Sequence, residues 1–166
     1  MKKATFTAAR LGLLLVIALL VIPGHIFASA SPALSQQAKT PPPPILITPF
    51  TVFDPAFNYL ENGTCGISYS GTSGNYKATI WGDTSGVIRV DKIGVKVYLQ
   101  RWSGSAWVDV YTGANTELTE ASYVYQSHSN LSVTSGYYYR TKSYHWILEG
   151  STSENGYRYS SSILIP

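Results

Sequence analysis

The chain of 166 residues has a single cysteine, Cys65. No intramolecular disulfide can form, which excludes the stapled scaffolds of many small exported domains. Stability must come from a packed core, and about 100 residues folding as one unit bury enough surface for that. Charge is scarce too, with Asp, Glu, Lys and Arg making up 13% of the residues. The apolar run Leu11–Ile22 is 12 residues long, short of the roughly 20 that a spanning helix needs. No Gly-x-Ser-x-Gly elbow, phosphate-binding loop or dinucleotide fingerprint occurs.

That short run is framed in a particular way. Lys2, Lys3 and Arg10 precede or open it, Pro23-Gly24 end it, and Ala28-Ser29-Ala30 supplies small residues. A basic start, a short apolar centre and a small-residue cleavage site make a secretory signal peptide over residues 1–30. The expected mature chain, Ser31 to Pro166, acts outside the cell and has no membrane attachment after cleavage. The signal also carries the whole positive balance. The chain has 12 Lys+Arg and 9 Asp+Glu; three of the cations and none of the acids leave with the signal, so the mature part is formally neutral. The basic pI of about 8.9 is therefore no argument for a nucleic-acid partner. All 13 tyrosines and all 4 tryptophans lie in the mature part, a composition suited to half-buried sheet faces.

Residues 31–44 (SPALSQQAKTPPPP) read as a proline-rich flexible linker. Residues 45–61 read as an extended lead-in, because Pro49 cannot donate to a ladder. From residue 62 to 166, short β-type runs alternate with Gly/Ser/Asn turns, the pattern of an all-β antiparallel sandwich of about seven strands. Strands are expected at 65–69, 76–81, 93–102, 107–112, 123–127, 136–148 and 158–165, with 114–120 as a loop. Ile93, Val95, Val97 and Leu99 alternate with Lys96, Tyr98, Gln100 and Trp102, so the first set should face the core. Ser103 to Ala106 should turn a hairpin, placing Trp102 and Trp107 as a cross-strand pair.

Two resemblances follow from these residues. Val133-Thr134-Ser135-Gly136-Tyr137-Tyr138-Tyr139 is similar to the tyrosine corner of fibronectin type III and immunoglobulin-like sandwiches. It implies that the Tyr139 hydroxyl bonds back to the turn; the proline usual in that pattern is Ser135 here. Trp81 resembles the tryptophan that many fibronectin type III domains bury on their second strand. The chain also resembles an uncharacterised family of small secreted bacterial β-proteins, a domain of unknown function. Leu99-Gln100, Gly104-Ser105-Ala106-Trp107, Gly136 with Tyr138-Tyr139-Arg140, Glu154 and Ser160-Ser161-Ser162 carry that likeness. It implies a fold and a location, and brings no catalytic residues.

Chemistry-bearing residues give little. His128 and His145 lack metal-ligand spacing, so no metal and no cofactor are expected. A Cys65–His pair would need the fold to bring it together, and Cys65 has no local activating pattern. The nine acids fall mostly in expected turns, with no spacing that pairs two of them for glycoside hydrolysis. The remaining feature is a sheet face. If Tyr139 points inward, Tyr138, Arg140, Lys142, Tyr144 and Trp146 point outward, beside Lys96, Tyr98 and Trp102. Rings stack on sugars and cations pair with phosphate or carboxylate, although such residues also serve as plain sheet cladding. A one-residue slip would turn the patch into core. The expectation is a secreted, non-catalytic interaction module for envelope polysaccharide or another secreted protein. The alternative is a small secreted effector, antimicrobial or inhibitory. A small extracellular hydrolase fits least.

Overall fold

The computed structural model describes residues 38–45 and 53–166. The expected signal peptide, the first part of the linker (31–37) and residues 46–52 of the lead-in lie outside them. The described residues hold no helix. Seven strands run in chain order: β1 (Leu60–Ser70), β2 (Lys77–Trp102), β3 (Trp107–Thr112), β4 (Thr116–Ser132), β5 (Tyr138–Glu149), β6 (Thr152–Tyr159) and β7 (Ile163–Leu164). All pair antiparallel within one sheet, which curls into a half-barrel.

The organising element is one long hairpin. β3 and then β4 follow the same edge of β2, from Trp107 opposite Trp102 to Ser132 opposite Lys77. Its tip is Ser103 to Ala106, where Ser103 N–H donates to the Ala106 carbonyl at 2.9 Å and the Ser103 hydroxyl accepts from Ala106 N–H at 3.0 Å. The other edge of β2 is shared end to end. β1 takes Lys77–Gly86 and β5 takes Lys92–Arg101. Pairing with β4 shifts register between Ser85 and Val90. There the ribbon folds over, and the buried set changes from the even positions Ala78, Ile80 and Thr84 to the odd positions Ile93, Val95, Val97 and Leu99. The two halves touch through Thr84 Oγ1, which donates to Gly94 O at 3.0 Å, and Thr141 Oγ1, which donates to Gly66 O at 2.8 Å.

This fold-over explains where the sequence reading and the structure differ. Gly82-Asp83-Thr84-Ser85-Gly86 reads as a turn between two strands, yet β2 runs through it. Small residues stand there because the facing half presses close. A methyl group at Gly82 would sit 2.9 Å from Val97 Cγ1, and one at Gly86 would sit 3.1 Å from Ile147 Cδ1. The expected loop 114–120 is mostly strand, since Thr116–Thr119 continue the hairpin opposite Lys92–Val95. The expected last strand divides into β6 and β7, and β6 starts earlier because Gly150 (φ 54°) closes a tight hairpin from β5.

Glu154 joins the two ends of the curl. This buried carboxylate on β6 accepts the backbone N–H groups of Asn58 (2.6 Å), Tyr59 (2.9 Å) and Leu60 (2.6 Å) at the entry to β1. Burial opposes its charge, but those three N–H donors outweigh burial and hold the carboxyl below its ordinary range. A side chain thus satisfies donors that have no strand opposite them.

Candidate functional site

Two groups of polar side chains occupy opposite faces of β5. On the inner face, His145 is fully buried. Its Nδ1 bonds Thr84 Oγ1 at 2.8 Å and its Nε2 bonds Ser143 Oγ at 2.6 Å. Phe53 packs edge-on at 5.6 Å. Burial, with Arg158 nearby, pushes the imidazole down to about 3, so it is neutral. Cys65 lies alongside, its Sγ 3.8 Å from the Thr141 carbonyl. Burial pushes that thiol up to about 11 despite a bond with Ser143. The fold therefore brings Cys65 and His145 into one cluster, but Ser143 stands between them, the thiol is protonated and the imidazole is uncharged. A nucleophile needs the thiolate. Among the described residues no group of three or more His, Cys, Asp or Glu is placed to hold a metal ion.

The outer face of β2, β5 and β6 carries the other group. The ladder sets Lys96 opposite Tyr144, Tyr98 opposite Lys142, Gln100 opposite Arg140 and Gly94 opposite Trp146. β6 adds Tyr157 beside Tyr144 and Tyr159 beside Lys142. The result is a stripe of alternating cations and rings. Lys96 Nζ lies 5.4 Å from the Tyr98 centroid. Lys142 Nζ lies 4.2 Å from Tyr98 and 6.0 Å from Tyr157. The Tyr144 and Tyr157 rings are 5.0 Å apart. The Trp146 indole lies flat on Gly94, where any side chain on β2 would collide with it. Tyr157 and Tyr159 remain 48% and 43% exposed.

One end of the stripe is occupied by its own hydrogen bonds. Arg140 is buried, clamped between the rings of Trp107 and Tyr159 at 4.3 Å each. Its Nε donates to Gln100 Oε1 at 2.8 Å, Gln100 Nε2 donates to Asp109 Oδ1 at 2.7 Å, and Lys142 Nζ meets Asp109 Oδ2 at 2.7 Å. Burial works against the Asp109 charge, but the bonds from Lys142 and Gln100 prevail and hold its carboxyl below the ordinary range.

Of the expected face residues, Lys96, Tyr98, Lys142, Tyr144 and Trp146 come together as a half-buried surface. Three of the expected face residues are placed otherwise, Arg140 (buried between Trp107 and Tyr159), Trp102 and Tyr138, and so is the expected core residue Trp81. Trp102 is 6% exposed, because its indole packs on Trp107 (5.4 Å) and donates from Nε1 to the Pro41 carbonyl at 3.0 Å. Tyr138 pairs with Leu164 of β7 at the start of β5, away from the stripe's centre. Trp81 is half-buried on the outside of β2, its indole lying on Gly66 of β1, and is no core tryptophan. Tyr139 is buried and its hydroxyl accepts from Thr134 N–H at 3.0 Å. Sequence reasoning missed Trp107, Asp109, Tyr157 and Tyr159. The alternation Tyr157-Arg158-Tyr159 was the available signal, hidden because the last strand was expected to start at Arg158. Neither a family model, nor a curated protein, nor a solved structure matches this chain.

Proposed function

We propose that this chain is a secreted, non-catalytic interaction module that holds an acidic envelope polysaccharide on the outer face of β2, β5 and β6. The observation that carries this reading is the stripe itself. Tyr98, Tyr144 and Tyr157 offer ring surface, and the half-buried Lys96 and Lys142, with Arg140 buried beneath, stand against one acid, Asp109. Rings on successive cross-strand positions suit the flat faces of sugars, and a cationic surplus suits their carboxylates or phosphates. The neutral states of the half-buried Cys65 and the buried His145 support a non-catalytic role. Export follows from the N-terminal signal of residues 1–30, cleaved after Ala30. The half-barrel is in our reading a relative of the immunoglobulin-like and fibronectin type III sandwiches, and of the uncharacterised secreted bacterial family. The Tyr139–Thr134 bond supports that kinship.

The test is binding of residues 31–166 to isolated envelope polysaccharide. Tyr98→Ala, Tyr144→Ala and Tyr157→Ala combined should abolish binding while leaving the thermal transition cooperative. Undiminished binding by this folded triple variant overturns the assignment of the face.

A further inference from the structure

The proline-rich segment is not free of the domain. Lys39 N–H donates to the Gly136 carbonyl at 2.7 Å, and the Lys39 ammonium stands 5.4 Å from the Tyr137 ring, which Arg101 also covers at 5.0 Å. Two residues on, the Pro41 carbonyl accepts from Trp102 Nε1 at 3.0 Å. Two glycines shape the floor. Gly104 (φ 102°) and Gly136 (φ 83°) both adopt the left-handed region, where a side chain is strained. A methyl group at Gly136 would come within 2.9 Å of the Lys39 stem, and one at Gly104 within 3.6 Å of Thr40. The groove thus has aromatic walls (Trp102 and Tyr137), a bare backbone floor and one indole N–H donor.

These are the elements by which proteins read extended proline-rich peptides. Proline has no N–H, so its only backbone handle is the carbonyl, and a stiff proline run loses little entropy on docking against rings. We propose that the groove between the β2–β3 hairpin tip and the start of β5 is a recognition site for proline-rich peptide. Lys39, Thr40 and Pro41 occupy it in cis, and a proline-rich segment supplied by another molecule competes for it. The inference stands apart from the glycan face, which does not use Trp102 or Tyr137.

In-cis occupancy makes the native chain its own competitor. A tethered segment acts at an effective concentration on the order of millimolar, so the site opens fully only when the segment is removed. The cis ligand is also improvable. The Thr40 hydroxyl is buried with no partner, and an unpaired hydroxyl of this kind is worth about a factor of five in affinity when replaced by a methyl of the same shape.

The experiment uses the full mature chain with residues 38–44 replaced by Gly and Ser, titrated with the acetylated, amidated peptide AKTPPPPI. NMR of the indole N–H signals and tryptophan fluorescence report occupancy. The expected result is saturable binding that shifts the Trp102 indole signal, at least about tenfold weaker binding to the native chain, and about fivefold tighter binding of the peptide with Val at the Thr40 position. Trp102→Phe in the replaced background should remove the response while keeping the fold. If the replacement disrupts folding, Pro42→Gly, Pro43→Gly and Pro44→Gly together loosen the segment while keeping its anchors, and the peptide should bind this chain more tightly than the native one. A folded replaced chain with no Trp102 response at millimolar peptide, or loosened and native chains that bind the peptide equally, overturns the proposal. The glycan assay is unaffected by either outcome, so failure here is distinguishable from failure of the face.

Discussion

Replacing Glu154 by glutamine keeps the shape and removes the charge. The carboxylate takes three backbone N–H groups at 2.6 to 2.9 Å. A glutamine oxygen has two lone pairs and so accepts at most two of them. The third donor then faces an amide N–H₂ and stays unpaired in a buried place, costing about 1–3 kcal/mol. The other two bonds become neutral and lose roughly half their strength, about 1–2 kcal/mol together. The expected destabilisation is therefore about 2–5 kcal/mol, a large share of the stability of a small domain. Urea unfolding followed by tryptophan fluorescence measures it as a fall in midpoint at unchanged slope. Acidification separates the electrostatic part. Because the folded carboxyl lies below its ordinary value of 4.5, its contribution is present above that pH and is lost as pH falls through the folded pKa. Glu154→Gln should lack that loss. A variant within about 1 kcal/mol of wild type would refute the idea that this carboxylate ties the entry of β1 to β6.

Three further outcomes follow from the interior. His145 is held at about 3 against an ordinary value of 6.5; the unfolded chain binds the proton first, so stability is full above pH 6.5 and falls toward pH 3. The swing approaches roughly 4–5 kcal/mol, and His145→Gln should flatten stability between pH 6.5 and 4.5, as read from urea midpoints; an unchanged slope there contradicts it. The Cys65 thiol, raised to about 11, should resist Ellman's reagent at pH 8 until the protein is unfolded; prompt labelling of the native chain would show an accessible thiolate. Gly82→Ala should cost roughly 1–3 kcal/mol by overpacking against Val97; a neutral effect in thermal melts would mean the two halves of β2 do not press together as described.

The legible parts of this chain are those where one residue period decides the outcome. The alternation from Ile93 to Trp102 placed the core set and the outward Lys96 and Tyr98, and the Trp102–Trp107 flanks gave the hairpin and the bounds of β3. The structure was illegible where a residue type has two causes. Gly82 and Gly86 resemble turn residues, but they are small because another part of the sheet lies over them. Thr116 to Thr119 lack a strong β pattern and are strand because β2 offers them an edge. The same holds at the face. Trp102 follows the outward period, yet Pro41, some sixty residues away, covers it. Glu154 falls in the sequence as one acid among nine, and only the curl of the sheet brings it to Asn58, Tyr59 and Leu60.

The central claim is that the outer stripe of β2, β5 and β6 is the working surface. Titrating the isotope-labelled mature domain with solubilised acidic envelope polysaccharide, and mapping the aromatic and amide resonances that move, tests it most directly. The account predicts saturable shifts centred on Lys96, Tyr98, Lys142, Tyr144 and Tyr157, weakened by salt as charge pairing requires. Saturable shifts centred instead on Tyr69, Tyr123 or Tyr125, which lie outside this stripe, would contradict it.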